Sequence, residues 1–270
     1  MSDHLITSLT NDTVKAVRAL HMRKERETTG RFLAEGLKFI GEALDQGRAP
    51  VMLLVGQDAR PHPILEQAKA ETRNAGGQII TVTHAILEKI SRRDNPQTVL
   101  GVFEQVYTPL EDIQPDSKPV WVALEQVRDP GNLGTIIRTA DSAGCGGVIL
   151  IGDCVDPYSV EAVRATMGSV FAVSITKASR EEFVEWRKGW KGSVIGTRLD
   201  ATNGYRDSPV QHPAIILMGN EQAGLTDELA ATCDVNVKIP MRGRADSLNL
   251  AVATGIMVYS ITDAAYGSGL

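Results

Sequence analysis

Apolar residues recur at helical spacing over Thr13–Met22 and again over Leu33–Leu44, where Leu33, Leu37, Ile40 and Leu44 step by four, three and four. Both stretches predict amphipathic helices. The pattern changes at Val51–Val55, Gln78–Thr83 and Val99–Val106, which predict short strands, with helical pieces at 64–74 and 84–91 between them. Residues 1–107 are therefore expected to form a small α/β domain. Over Thr108–Pro119, three prolines and three acids fall within twelve residues and neither period survives, so 108–119 is expected to be a linker.

Strand-like runs resume at Val120–Leu124, Gly147–Ile151, Ser193–Gly196, Ala214–Met218 and Val235–Ile239, separated mostly by helical stretches. This alternation predicts a second α/β domain over 120–270, with a mainly parallel sheet covered by helices. Ligands of such sheets bind beyond the carboxyl ends of the strands. The residues there are Asp129-Pro130-Gly131-Asn132, Gly219-Asn220-Glu221 and Pro240-Met241-Arg242-Gly243, and they nominate a site. The segment Ser247–Ile261 is apolar nearly all round and predicts a buried final helix, whose polar start, Ser247-Leu248-Asn249, faces that site.

Composition narrows the class. With 43% apolar and 23% charged side chains in 270 residues, the chain can bury a large core. No apolar run reaches the ~18 to 20 residues of a membrane span, and Met1–Leu5 lacks a basic flank followed by an apolar run. Neither insertion nor export is expected. Three cysteines without Cys-x-x-Cys spacing fit a reducing cytoplasm, and five histidines without ligand spacing argue against a metal site.

Net charge is −5, which argues against coating nucleic acid by global electrostatics. The charge is uneven, however: residues 1–100 hold 14 Lys/Arg against 12 Asp/Glu, and the remainder holds 14 against 21. Within 15–31, Lys15, Arg18, Arg23, Lys24, Arg26 and Arg31 face only Glu25 and Glu27. Those six form either a grip on a phosphate backbone or a solvated, partly self-neutralised helix face.

Several common templates fail. Gly131-Asn132-Leu133-Gly134 and Gly144-Cys145-Gly146-Gly147 both miss the dinucleotide-binding glycine spacing, and no phosphate-binding Gly-x-x-x-x-Gly-Lys loop occurs. Asp141-Ser142-Ala143-Gly144 lacks the full Gly-x-Ser-x-Gly nucleophile elbow and reads as a helix end.

Three ordered segments carry a positive signal. Asp129–Ala140 (DPGNLGTIIRTA), Ile215–Leu225 (IILMGNEQAGL) and Ile239–Ala253 (IPMRGRADSLNLAVA) together resemble the SpoU/TrmH family of RNA ribose methyltransferases. Val163–Ser169 (VRATMGS) is similar to a further family stretch, and Phe32–Gly36 (FLAEG) to the amino-terminal substrate-binding domain of many members. The resemblance implies S-adenosylmethionine as cofactor, methylation of a ribose 2′-hydroxyl in RNA, a homodimer, and a trefoil knot near the carboxyl end. Ribosomal RNA is the expected substrate and transfer RNA the second. A scaffold of the same fold that binds RNA without methylating it is the non-enzymatic alternative. Neither metal nor membrane is implied, and the expected location is cytoplasmic.

The resemblance also assigns roles. Cofactor contacts fall on Thr197, Leu217, Gly219, Ile239, Met241 and Leu248, although Leu217 and Ile239 also read as plain buried strand residues. Arg138 takes the acceptor ribose and its phosphate. A guanidinium anchors phosphate well but is a poor proton acceptor near neutral pH, so anchoring is the preferred role. Asn132 and Asn249 can hold a ribose hydroxyl or brace Arg138, and Asn132 can equally cap a helix. Ser247 is expected to cap the final helix while helping to shape the cofactor loop. Glu221, a carboxylate in an apolar setting, is expected to bind loop backbone or Arg138, with proton acceptance as its second reading. Arg164, Arg242 and Arg244 add positive charge for RNA near the site.

Overall fold

The computed structural model of the chain describes residues 5–115, 118–207 and 210–266. Met1–His4, and Asp116 and Ser117 of the expected linker, lie outside the described residues. The chain forms two compact units, the first made of the residues up to Gln105 together with Asp156–Ala172, the second of Val106–Val155 and Val173 onward.

The first unit runs β1 (Leu5–Ile6), α1 (Asp12–Ala19), α2 (Arg23–Thr29), β2 (Arg31–Glu35), α3 (Leu37–Asp45), β3 (Met52–Gly56), α4 (Pro63–Asn74), β4 (Gln78–Val82), α5 (His84–Ser91) and β5 (Val99–Glu104). Its sheet has the order β1-β4-β3-β5-β2, with β1, β4 and β3 parallel and β5 antiparallel to both neighbours. Asn11 starts α1 by accepting from the Thr13 N–H at 2.9 Å, leaving Val14 and Val17 to pack with Ile86, Leu87 and Ile90 of α5. The helix expected over Leu33–Leu44 begins only at Leu37. Leu33 belongs instead to β2, where Phe32–Glu35 are all buried, and Gly36 at φ +94 turns the chain from strand to helix. An apolar run buried on both faces satisfies the helical period and the strand equally.

The second unit continues with β6 (Val120–Glu125), α6 (Pro130–Ser142) and β7 (Gly147–Ile151). The next helix, α7 (Val160–Thr166), lies in the segment that belongs to the first unit. After it come β8 (Ser174–Ala178), α8 (Arg180–Arg187), β9 (Val194–Thr197), β10 (Asn203–Gly204), β11 (Ala214–Met218), α9 (Asp227–Ala230), β12 (Val235–Lys238) and α10 (Leu250–Tyr266). All seven strands are parallel, in the order β10-β12-β9-β11-β6-β7-β8. β11 registers against β6 from Ala214–Val120 to Met218–Leu124, and α10 packs across α6. This is the mainly parallel α/β sheet with helices that the alternation of elements predicts.

Two sequence boundaries shift. Residues 156–172, expected in the carboxyl-terminal domain, pack with the first unit: Tyr158 lies 4.6 Å from the Phe32 ring and Val160 joins its apolar core. The linker is also not free chain. Leu110 and Ile113 flank a single turn of 3-10 helix, and both are buried in the second core with Trp121, Ile149 and Phe183. Two apolar side chains suffice to hold a proline-rich segment down when a groove is there to receive them.

Candidate active site

The carboxyl ends of β6 and β11 are tied together by side chains. Glu125, the last residue of β6 and only 1% exposed, accepts from the Thr226 N–H and Oγ1, both at 2.9 Å, and from Arg180 Nη2 at 2.9 Å. Gln126 then turns at φ +49, and its carbonyl accepts from Asn220 Nδ2 at 2.8 Å. A non-glycine residue in the left-handed region is held there by its surroundings.

Asn220 also closes its own loop, since its Oδ1 accepts from Gln222 N at 2.9 Å and Ala223 N at 3.1 Å, and its backbone pairs with Gly224. Gly219 admits no side chain at this bend: a Cβ there would sit 2.0 Å from the Leu225 nitrogen. The loop after β11 is thus a rigid knuckle against the end of β6.

Glu221 projects from that knuckle to the start of α6. It accepts from the backbone N–H of Arg128 at 3.1 Å and of Asp129 at 3.2 Å, and from Asn132 Nδ2 at 3.2 Å. Burial pushes its carboxyl up, but these bonds and its own backbone N–H outweigh that and hold it below the usual glutamate range. A carboxylate so engaged is a weak base. Asp129, not Asn132, caps α6, accepting from Asn132 N at 2.6 Å. Asn132 is free of the capping role and its Oδ1 accepts from Asn249 Nδ2 at 2.9 Å. Asn249 itself accepts from Ala251 N at 2.9 Å and Val252 N at 3.3 Å, so it heads α10, and Ser247 bonds Asp246 instead.

Beside this network lies a cavity of about 290 Å³. Thr197, Gly219, Ile239, Met241 and Leu248 line it, as do Glu221 and Ser247. The wall is mixed: aliphatic and thioether groups alternate with backbone of the loops after β9, β11 and β12. Leu217, expected with the cofactor contacts, does not line the cavity; its side chain is fully buried in the core and its carbonyl accepts from Thr197 Oγ1 at 3.3 Å. Asn220, nominated with its strand end, also lines the wall, and Met218, Leu250, Arg198 and Leu199 line it without having been assigned a role. Arg198 and Leu199 directly follow β9, so the strand-end rule that picked the other loops points to them too. Arg198 is clamped between Asp200 at 2.8 Å and Asp227 at 2.5 Å, which stiffens that rim.

Arg138 stands exposed on α6, and among the described residues its guanidinium has no ion-pair partner. Arg242 and Arg244 are exposed as well. Two other expected RNA contacts are occupied. Arg26 is 3% exposed, paired with Asp156 at 2.7 Å and bonded to the Leu20 carbonyl at 2.8 Å. Arg164 packs within the first unit and pairs with Glu35 at 2.5 Å while donating to the Ser91 carbonyl. Arg26 corrects the reading of that cation as surface charge, since a buried guanidinium is retained only with partners; Arg164 is half-buried and engaged by Glu35, although its Nε has no hydrogen-bond partner among the described residues. Lys15 and Arg23 are exposed but engaged with Asp12 and Glu27, and Lys24 and Arg31 are exposed. Among the described residues no cluster of His, Cys, Asp or Glu is suited to hold a metal ion, and no helix is long and apolar enough to cross a membrane.

Comparison with known proteins gives concordant matches. Residues 119–259 match the SpoU rRNA Methylase family, and residues 11–101 match the MRM3-like substrate binding domain. The chain is 32% identical to the 23S rRNA (guanosine(2553)-2′-O)-methyltransferase RlmP of Bacillus subtilis, over 95% of this chain and 98% of that protein. It is 48% identical to an AdoMet-bound rRNA methyltransferase from Sinorhizobium meliloti, with a TM-score of 0.90 and coverage of 97% and 98%. The SpoU methyltransferase AviRb from Streptomyces viridochromogenes, in complex with AdoMet, superposes with a TM-score of 0.84 at 28% identity, covering 95% of this chain and 99% of that one.

Proposed function

This chain belongs to the SpoU rRNA methylase family, and from that premise we propose that it methylates a ribose 2′-hydroxyl of ribosomal RNA with S-adenosylmethionine. The observation that carries the reading is the meeting of the loop-lined cavity with the Glu221–Asn132–Asn249 network at the head of α6. The cavity fits the cofactor's chemistry. Gly219 leaves backbone bare where an adenine edge would be read, while Ile239, Met241 and Leu248 supply an apolar enclosure.

Bound there, S-adenosylmethionine supplies an electrophilic methyl on a sulfonium. The chain's part is positioning: joining a neutral hydroxyl to a cationic donor disperses charge, so alignment supplies much of the acceleration. Thr197 and the knuckle at Gly219–Gly224 hold one side of the cavity, and Glu221 keeps the start of α6 in register with it. Arg138 presents five donors to an RNA phosphate and so steers the ribose. Glu221 is too heavily hydrogen-bonded to act as base, and the hydroxyl proton passes to phosphate or water. Residues 11–101, with the exposed cations Lys15, Arg23, Lys24 and Arg31 and the half-buried Arg18, hold the RNA, whose shape and backbone are read apart from the target nucleotide.

We read the segment between β9 and α10 as a trefoil knot, supported by family membership and by β12 pairing with β9 on the side opposite β11. We read the active form as a homodimer: Val252 and Tyr259 stay 52% and 47% exposed on α10, an apolar stripe suited to a second copy. The bacterial relatives support a cytoplasmic location.

Incubation with methyl-labelled S-adenosylmethionine and ribosomal RNA lacking this modification, followed by nucleoside analysis, tests the reading. A 2′-O-methylated nucleoside from ribosomal RNA is the expected product. Label only in transfer RNA reassigns the substrate, and RNA binding without label identifies a scaffold.

A further inference from the structure

A groove of about 640 Å³ in the first unit is lined by Arg18 of α1 and by Lys89, Arg92 and Arg93 at the carboxyl end of α5. Glu88 and Asp94 are the carboxylates on its wall, and Glu88 lies 3.4 Å from His84 Nε2. Arg18, Lys89 and Arg92 pair with no carboxylate among the described residues. Arg93 reaches only Glu35, at 3.9 Å, and Glu35 is already bound more closely by Arg164. Four cations thus converge on one concavity against two acids.

Arg92 holds the position that makes this more than a charged surface. It ends α5 with φ +56, its N–H donating to the Glu88 carbonyl at 2.9 Å. Helices that end this way ordinarily use glycine, which adopts the left-handed region without strain. α2 of the same unit does so, with Gly30 at φ +65. Arg92, like Met167 at the end of α7 with φ +54, takes this conformation without glycine's freedom, and its exposed side chain lines the groove. The carbonyl end of α5, where His21 and Arg164 meet the Ile90 and Ser91 carbonyls, attracts cations and repels anions, so the side chains alone must provide any anion binding here. His21, 2.6 Å from the Ile90 carbonyl, registers the positive field: burial, together with the charges of Arg92 and Arg164, holds it below its ordinary value against the pull of that carbonyl and of Glu161.

We propose that Arg18, Lys89, Arg92 and Arg93 form an RNA phosphate-backbone site on the first unit. The inference rests on the RNA substrate proposed above and adds residues to its recognition. RNA is favoured over an acidic protein because the wall offers only Leu9 and Ala85 as apolar surface, whereas protein interfaces bury an apolar or aromatic centre. The cations sit on two helices and can meet successive phosphates.

The test uses the full chain and two variants, Arg92→Gly and the triple Arg18→Ala/Lys89→Ala/Arg92→Gly. Binding of a fluorescein-labelled mixed-sequence RNA hairpin is followed from about 50 to 300 mM salt, beside a polyglutamate peptide, with melting temperature and S-adenosylmethionine calorimetry as controls. Arg92→Gly is expected to keep or raise the melting temperature while weakening RNA binding. The triple variant should lose about tenfold or more in affinity and lower the salt slope by about two to three, with cofactor binding unchanged. RNA affinity and slope equal to wild type overturn the site, as does tighter capture of polyglutamate than of RNA. A fall in melting temperature on Arg92→Gly with RNA binding intact gives Arg92 a structural role and also overturns it. Methyl transfer by the wild type is measured in parallel: its absence, with RNA affinity still lost in the variants, removes the proposed function and leaves the groove standing.

Discussion

Asn249 Nδ2 donates to Asn132 Oδ1 at 2.9 Å, joining the head of α10 to the first turn of α6 across 117 residues of sequence. Asn249 uses its own Oδ1 to cap α10, and Asn132 uses its Nδ2 on Glu221, so each amide spends one end on structure and the other on the link. Asn249→Ala should cost about 1 kcal/mol through the lost cap and lower the melting temperature by about 2 to 4 °C. Asn132→Ala should cost less in stability and more in turnover. A double-mutant cycle is expected to show coupling of about 0.5 kcal/mol or more; strict additivity would mean the bond is idle.

Glu221 is held below the usual glutamate range in the folded protein, so its contribution to stability is present above the ordinary pKa and is lost as pH falls through the lowered one. Its bonds to Arg128, Asp129 and Asn132 are therefore constant across neutral pH and fail only in acid. Cofactor affinity followed by calorimetry should be flat across neutral pH and fall only in acid below the ordinary glutamate pKa. Glu221→Gln, which turns an amide donor toward two N–H groups, should weaken cofactor binding at every pH. A glutamine variant with normal affinity would show the carboxylate to be dispensable.

Glu125→Ala leaves the Thr226 N–H without its acceptor and the Arg180 guanidinium with only Glu228, at 3.4 Å. The expected loss is about 3 kcal/mol, read from denaturant midpoints. Glu125→Gln keeps the volume and one acceptor oxygen and should lose less. Cofactor binding should fall with both, since Thr226 follows the Gly219–Gly224 knuckle directly. Unchanged affinity in a folded Glu125→Ala protein would separate β6 from the cavity.

Arg138 does not line the cavity, so Arg138→Lys should leave cofactor binding and melting temperature alone. Lysine keeps the charge and loses the bidentate fork, and turnover on RNA should drop about tenfold or more. Near-normal turnover would reject a bidentate phosphate anchor.

The parallel strands of the second unit were readable because they are buried on both faces. Gly147–Ile151 and Ala214–Met218 are unbroken apolar runs, and turn residues bound them where the structure ends them. β8 was not, because Ser174, Thr176 and Lys177 interrupt its pattern at the edge of the sheet. The strand-end rule found the loops of the cavity, yet Leu217 could not be told from a wall residue: a core strand and a ligand pocket both call for an aliphatic side chain. Asn132 shows the same limit, since an asparagine near a helix start suits a cap, and only the position of Asp129 decides the matter.

Local chemistry along the chain, meaning periodicity, turn residues and the three ordered motifs, was enough to determine the α/β class, the loops that carry the site and the family's reaction. Partnership was decided by tertiary structure alone. Nothing in the order of residues shows that Arg26 meets Asp156 or that Arg164 meets Glu35, while Arg138 and Arg92 pair with no carboxylate among the described residues. A charge's role depends on what lies within a few ångströms of it, and those neighbours come from segments more than a hundred positions away.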